Sequence, residues 1–454
     1  MAFSSLLIGI VSITVSDILI KIFTSSRVQR LATEGSWIVA GQIAACLGAL
    51  VLVWVLTKHL EPTQYGQLAL GLTVAGFVNQ VIMGGVTTGI GRFYSIAAEK
   101  NDLLGYIKAS RQLMGYATAA VAVIALMLMA GLFWIGYYQW MGLVVSALVY
   151  SVLSGYNACL GGIQNAARQR AIVAVHSGLD AWLKVLLAVS LMLWLGSSST
   201  AALWGYALSS LLMTGSQLFL LHRRIRSQID KSQVSTSWGQ QIWLFSRPFS
   251  IWGVFTWFRI ASDRWALLTF ASAQEVGLYA VVFQLGFMPI TLVTAMTQNF
   301  LGPILYQRSG SSTDHNRIAS VHRIAWRITF VVLLVTALAF AFTLLLNEWI
   351  FHLLVAEKYH GVSYLLPWMV LGGGIFAAGE ILALKLMSEM KSAKLITIKI
   401  MTAFTGIGLN IYGAYQYGLP GVVAASVVFS VIYLFWIAWL AQNSVDMVNH
   451  QRAS

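Results

Sequence analysis

The sequence predicts an all-α polytopic membrane protein, with about 12 transmembrane helices in two six-helix lobes related by a pseudo-twofold axis along the membrane normal. Three observations carry that prediction. Apolar runs of bilayer-crossing length follow one another with short loops between them, basic residues collect in alternate loops, and the second half of the chain echoes the first.

A helix needs roughly 20 apolar residues to cross the hydrocarbon. The runs that meet this are residues 35–58, 67–91, 112–134, 138–160, 172–195, 202–221, 246–270, 277–304, 327–347, 363–388, 396–416 and 420–441. Their borders follow the charges. Lys21, Arg27 and Arg30 precede the first run; Arg92, Lys100, Lys108 and Arg111 separate the second from the third; Arg168 and Arg170 separate the fourth from the fifth. Arg223, Arg224, Arg226, Lys231 and Arg247 lie between the sixth and seventh, Arg308, Arg317, Arg323 and Arg327 between the eighth and ninth, Lys391, Lys394 and Lys399 between the tenth and eleventh, and Arg452 follows the last. Opposite them the loop cations are Lys58 and Lys358. Basic loops stay on the cytoplasmic side, so the expected location is the cytoplasmic (inner) membrane with both termini in the cytoplasm.

Residues 1–34 are the exception to the simple count. Met1 to Ile20 is apolar, but Asp17 interrupts it and precedes Lys21 by four, while Ser5, Gly9, Ser12 and Ser16 recur at helical spacing, so the expectation is a helix lying in the interface. The expected domains are an N-terminal interfacial segment 1–34, an N-lobe 35–222, a cytoplasmic inter-lobe loop 223–245, a C-lobe 246–441 and a cytoplasmic tail 442–454.

Composition excludes several classes of function. With 58% hydrophobic residues, 9% charged and a mean hydropathy of +0.76, the chain has lipid as its main solvent and hides no soluble domain. A net charge of +13 would suggest nucleic acid in a soluble protein; here the loop pattern accounts for it, and no nucleic-acid partner is expected. Cys46 and Cys159 fall within spans and give no disulfide framework. The eight His have no metal spacing and no glycine-rich phosphate loop is present, so neither metal, cofactor nor direct use of ATP is expected.

The repeat is short and legible. Glu61-Pro-Thr-Gln-Tyr-Gly-Gln-Leu-Ala after the first span is echoed by Ser272-Ala-Gln-Glu-Val-Gly-Leu-Tyr-Ala after the seventh, with Gly66 matching Gly277. Gly162-Ile-Gln-Asn-Ala-Ala-Arg-Gln-Arg has a looser counterpart in Leu386-Met-Ser-Glu-Met-Lys-Ser-Ala-Lys. Six spans separate each pair, an even number, so the halves share an orientation.

The phrases Pro62-Thr-Gln-Tyr-Gly, Asp263-Arg-Trp followed by Gly277-Leu-Tyr-Ala, Gln164-Asn-Ala-Ala-Arg and Tyr417-Gly-Leu-Pro-Gly-Val-Val-Ala-Ala resemble the polysaccharide-transport branch of the multidrug, oligosaccharidyl-lipid and polysaccharide flippase superfamily, over roughly residues 30 to 440. The resemblance implies two lobes in a V around a central cavity lined by helices one, two, seven and eight. It implies alternating access, and movement of a polyprenyl-diphosphate-linked oligosaccharide to the outer leaflet for surface polysaccharide assembly. Implied partners are the lipid-linked oligosaccharide and membrane lipid, with a polysaccharide polymerase and glycosyltransferases as further candidates.

Ionisable residues inside spans are where chemistry is expected, because a charge at mid-helix costs about 2.5–3.5 kcal/mol on insertion scales. The seventh span carries Arg259, Asp263 and Arg264. Arg259 and Asp263 are four apart, so either they neutralise each other or Asp263 orients Arg259 toward an anion; Arg264 lacks a partner at that spacing. Arginine suits a diphosphate, since its planar fork donates paired hydrogen bonds and keeps its charge in a dry cavity. Trp257 is the deepest of the aromatic residues crowding this span and is the candidate for stacking on a sugar ring, and Gln284 adds a polar group from the eighth span. Asp180 and Lys184 are also four apart: the alternatives are a self-satisfied pair, or a substrate contact by Lys184 with Asp180 holding a coupling ion. Glu380, beyond the Gly372-Gly-Gly run, has no obvious partner one turn away and is the first candidate for the coupling ion. An acidic cavity centred on Asp180 and Glu380 would instead indicate a cation-coupled multidrug or metabolite exporter. A membrane glycosyltransferase or polymerase is disfavoured by the shortness of the outer loops.

Overall fold

The computed structural model describes residues 26–229, 237–309, 315–388 and 392–450. The interfacial helix expected at residues 1–20 lies outside them. Residues 26–34 are already part of the first helix, α1 (Ser26–His59), while its apolar, membrane-crossing part, Gly35–His59, begins where the apolar run does.

The second span departs further from expectation. It is built from α2 (Pro62–Phe77), a π-helical turn (Val78–Met83) and α3 (Gly84–Glu99). A π turn widens the helix by one residue and shifts the facing of everything beyond it, and no apolar periodicity announces that shift. Then follow α4 (Leu103–Ile135), α5 (Met141–Ala166), α6 (Arg170–Leu195) and α7 (Ser199–Ile229). Asp102 caps α4 by accepting the Gly105 amide at 3.1 Å.

The second half begins with α8 (Trp238–Phe270). The expected eighth span is broken into α9 (Ala273–Gly286) and α10 (Met288–Ser309), with Pro289 in the first turn of the second piece, where its missing N–H costs nothing. After α11 (His315–Leu354) a 3₁₀ segment (Glu357–Leu365) leads into α12 (Leu366–Ser388). The last helix, α13 (Ser392–His450), reverses at Gly418, whose φ of +59° and ψ of −136° suit glycine. Gly413 meets Gly421 and Gly406 meets Phe429 across that reversal, so α13 supplies two spans.

Among the described residues, nine helices are long and apolar enough to cross a membrane, and one of them, Thr397–Gln442, is the α13 hairpin. The long helices α7 and α8 fall short on apolarity. For α8 the reason is its charge, and a spanning helix that keeps charge is expected to face protein or water rather than lipid.

Helix pairings recur between the halves. In the first, α1 packs on α6, α5 on α7, and α2 and α3 on α5. In the second, α8 packs on α13, α12 on α13, and α9 and α10 on α12. The halves meet where the repeat matches them. A Cβ at Gly66 would sit 1.8 Å from the Ala273 carbonyl oxygen, and one at Gly277 1.9 Å from that of Pro62, so the two backbones cross in contact. Around this crossing Tyr359 donates to the Leu60 carbonyl at 2.9 Å, Lys358 pairs with Glu61 at 2.9 Å, and a core including Leu60, Tyr65, Val276, Tyr279 and Phe351 closes this end of the molecule.

Candidate substrate cavity

The charged helix α8 lies at the centre of the site. Asp263 and Arg259 do not pair. The Asp263 carboxylate accepts the backbone N–H of Arg264 and the hydroxyl of Tyr279, each at 2.6 Å, and the Arg264 Nη1 at 3.1 Å. The expectation that Asp263 neutralises or orients Arg259, leaving Arg264 alone, is corrected accordingly. Spacing along one helix considers only that helix; here α9 brings Tyr279 to the carboxylate, and its neighbour Arg264 folds over it. Arg264 also donates to the Ile260 carbonyl at 3.2 Å and lies over the Phe283 ring at 4.7 Å.

Arg259 is the residue left available. Its guanidinium rests 5.1 Å from the Phe376 ring centroid and 5.8 Å from that of Phe429, and it makes no hydrogen bond or ion pair among the described residues. Rings hold a cation in place by their quadrupole without consuming its N–H donors. Those donors line a cavity of ≈ 240 Å³ within the second half, together with Thr291, Thr294, Glu380, Lys399 and Tyr433.

Glu380 is not solitary, as it reads in the sequence. Lys399 reaches it at 3.1 Å, Tyr433 donates to it at 2.5 Å and Gln298 at 3.3 Å, from three different helical segments. Lys399 reads as a loop cation, but it lies inside α13 and turns inward. The charged groups lining this cavity are therefore Arg259 and Lys399 against Glu380, a surplus of one positive charge.

Two further cavities adjoin. One of ≈ 320 Å³ shares Arg259 and Thr291 with the first and adds Asp263, Tyr279 and Asn410. The other, ≈ 220 Å³, lies between the halves and is lined by Thr73, Gln80, Trp257, Arg264 and Gln284; it shares Ile260, Phe283 and Met288 with the second. Trp257 and Gln284 thus sit on a cavity wall, but their polar atoms also join the halves. The Trp257 indole donates to the Thr73 carbonyl at 2.7 Å, Trp265 to the Thr73 hydroxyl at 3.0 Å, and Tyr65 to Gln284 at 2.8 Å.

Asp180 and Lys184 are placed elsewhere. They pair at 2.5 Å, Ser209 donates to Asp180 at 2.9 Å, and Lys184 lies over Tyr150. Neither lines any of the three cavities, so the self-satisfied reading describes them. Sequence reasoning missed Lys399, Tyr433, Tyr279 and Thr73. An inward lysine in the first turns of a span could have been found from the span limits; Tyr279 lies in the Gly277-Leu-Tyr-Ala phrase, which marks it without giving it a role, and Tyr433, set in an apolar run, carries no local signal.

The family model for polysaccharide biosynthesis proteins matches residues 31–309. That is more than half of the chain, and the chain belongs to this family. Among solved structures, the lipid II flippase MurJ in an inward closed conformation superposes with a TM-score of 0.66 at 12% identity, covering 90% of this chain and 87% of that one. An inward-facing multidrug resistance MATE transporter of the MOP superfamily gives 0.61 at 15% identity, with 89% and 96% covered. A MOP superfamily transporter from Pyrococcus furiosus, described by the reverse polarity of its binding pocket, gives 0.55 at 14%, with 90% and 96% covered. These likenesses establish the fold of MOP superfamily transporters. A search of curated protein sequences found no match.

Proposed function

We propose that this polysaccharide biosynthesis protein is a flippase, moving a polyprenyl-diphosphate-linked oligosaccharide across the cytoplasmic membrane by alternating access. The observation that carries the reading is Arg259, a guanidinium with no hydrogen bond or ion pair among the described residues, which with Lys399 outnumbers Glu380 in one cavity and faces a second that adjoins it inside the membrane-spanning body. A buried cation is costly unless paired or functional, and a diphosphate is the anion its fork would hold.

In this reading the diphosphate sits near Arg259, with Lys399 within the same cavity, while Arg264 stays paired with Asp263 on the wall between the halves. The stacked rings of Phe376, Phe429 and Tyr433 give sugar rings an apolar surface beside it. The crossing at Gly66 and Gly277 closes the outer end in this structure; parting it while the opposite end closes would present the same cavity to the other leaflet. Glu380 is the coupling carboxylate, with Lys399 the cation that a coupling proton or sodium ion displaces, and Asp180 has no coupling role. A fold neighbour that is itself a lipid II flippase supports the class of substrate. The exporter alternative requires an acidic cavity, whereas both candidate carboxylates are already matched by a lysine.

The test is transport of fluorescently tagged polyprenyl-diphosphate oligosaccharide in vesicles reconstituted with the full chain. Arg259→Ala should lower the rate by roughly 100-fold, the loss expected when a desolvated charge contact of about 3 kcal/mol is removed, while membrane insertion is unchanged. Unchanged transport by Arg259→Ala would place the anion elsewhere.

A further inference from the structure

We propose that the membrane-facing groove between α3, α4 and α8 is a binding site for an anionic phospholipid, with its phosphate on Lys108 and Arg111 and an acyl chain laid along α4. The groove has a volume of ≈ 610 Å³ and is floored by small and apolar side chains, among them Ala109, Leu113, Ala117 and Val86, with Trp243 on its α8 wall. A second recess of ≈ 640 Å³, lined by Leu104, Ile107, Lys108 and Arg111, continues it, because Gln112 lines both. Neither is lined by a carboxylate.

The charges have the placement a lipid headgroup needs. Lys108 and Arg111 are three apart, hence on one face of α4, and both are exposed with no hydrogen bond or ion pair among the described residues. They lie about 9 and 13 Å along the helix from its Asp102 cap, at 1.5 Å per residue. That is the end with the basic loops, and the apolar part of the groove runs from there toward the bilayer middle. Phosphate toward that end and chain inward is the orientation of a phospholipid in that leaflet, and basic recesses between spanning helices on this side recruit anionic headgroups.

The transported lipid is a poor occupant. The wall between this groove and the inter-half cavity is the α3–α8 seam, where a Cβ at Gly85 would meet Ser250 Oγ at 2.1 Å and one at Gly253 would meet the Gln80 carbonyl at 2.3 Å. Packed that closely, the seam gives a lipid in the groove no passage to Arg259. A lipid touching α3, α4 and α8 together would instead hold this seam shut.

The experiment is lipid retention by the purified full chain in native mass spectrometry, with phosphatidylglycerol and phosphatidylcholine of equal chain length offered together. The intact protein should retain phosphatidylglycerol in roughly tenfold preference, and Lys108→Gln with Arg111→Gln should abolish the preference, while the control pair Arg323→Gln with Arg327→Gln, two exposed cations on α11, keeps it. Ala117→Trp, which fills the groove and leaves the cations, should reduce retention of long-chain more than of short-chain phosphatidylglycerol. Equal losses in the α4 and α11 variants would reduce the effect to general surface charge and overturn the site. Displacement of phosphatidylglycerol by polyprenyl phosphate at lower concentration would assign the groove to the transported lipid, and a dimer mass lost in Ala117→Trp would assign it to a second copy; either result overturns the proposal.

Discussion

The two halves of this molecule share helix pairings yet treat their buried charges in opposite ways. In the first half Asp180 and Lys184, one turn apart on α6, satisfy each other with help from Ser209, and line none of the three cavities. In the second half Arg259, Glu380 and Lys399 come from three helices, line one cavity and leave a positive charge over. The difference separates two uses of a charge inside a membrane protein. A local pair neutralises itself and can tie neighbouring helices together, whereas an assembled cluster with unequal signs leaves a field inside the cavity for a ligand to answer.

The largest test of that contrast concerns Arg264, which belongs to the charged helix but behaves like the first half's pair. Arg264→Ala leaves the buried Asp263 with its charge unmatched, and breaking a buried pair in this way costs about 3–5 kcal/mol. Thermal unfolding in detergent should show a marked loss of stability, and Asp263→Ala added to it should restore much of that loss. If Arg264→Ala is as stable as the parent but inactive, Arg264 is a ligand-binding cation and the comparison between halves weakens.

Next in size is a pair of double variants that delete each half's ion pair as a unit. Asp180→Leu with Lys184→Leu removes both charges at once, which in buried pairs is commonly near neutral for stability, and transport should stay within about twofold, a difference of roughly 0.4 kcal/mol. Glu380→Gln with Lys399→Gln should fold as well but transport at least about tenfold more slowly, with its response to an imposed proton or sodium gradient gone. Equal transport by the two would mean that both clusters are scaffold.

How far the sequence discloses these features follows from how local each one is. Run length and loop charge locate the spans, and the repeat marks Gly66 and Gly277 as equivalent, though not that they touch each other. The π turn at Val78–Met83 stays hidden because it changes facing without changing composition. Partners at i and i+4 can be read, which serves for Asp180 and Lys184 and misleads for Arg259 and Asp263. Glu380 draws on Lys399 nineteen residues away, Tyr433 fifty-three away and Gln298 eighty-two away, and proximity of that kind exists only once the helices pack.

The smallest effect is expected where the two halves meet in water. Lys358 of the second half and Glu61 of the first pair at 2.9 Å beside the end that the crossing closes, but Glu61 is 72% exposed. An exposed pair of this kind contributes about 0.2–1 kcal/mol and is screened by salt. The Gly66–Gly277 crossing and the core around it should therefore do most of the closing. Lys358→Gln should raise the outward-open population by no more than about fivefold, the factor that 1 kcal/mol allows at room temperature, and 1 M salt applied to the parent should give a similar rise. Thiol labelling of a cysteine placed at Val276, buried beside the crossing, would report that population as a rate. A rise of a hundredfold would make the ion pair, rather than the backbone crossing, the element that joins the halves; no rise in either case would show the crossing to be sufficient alone.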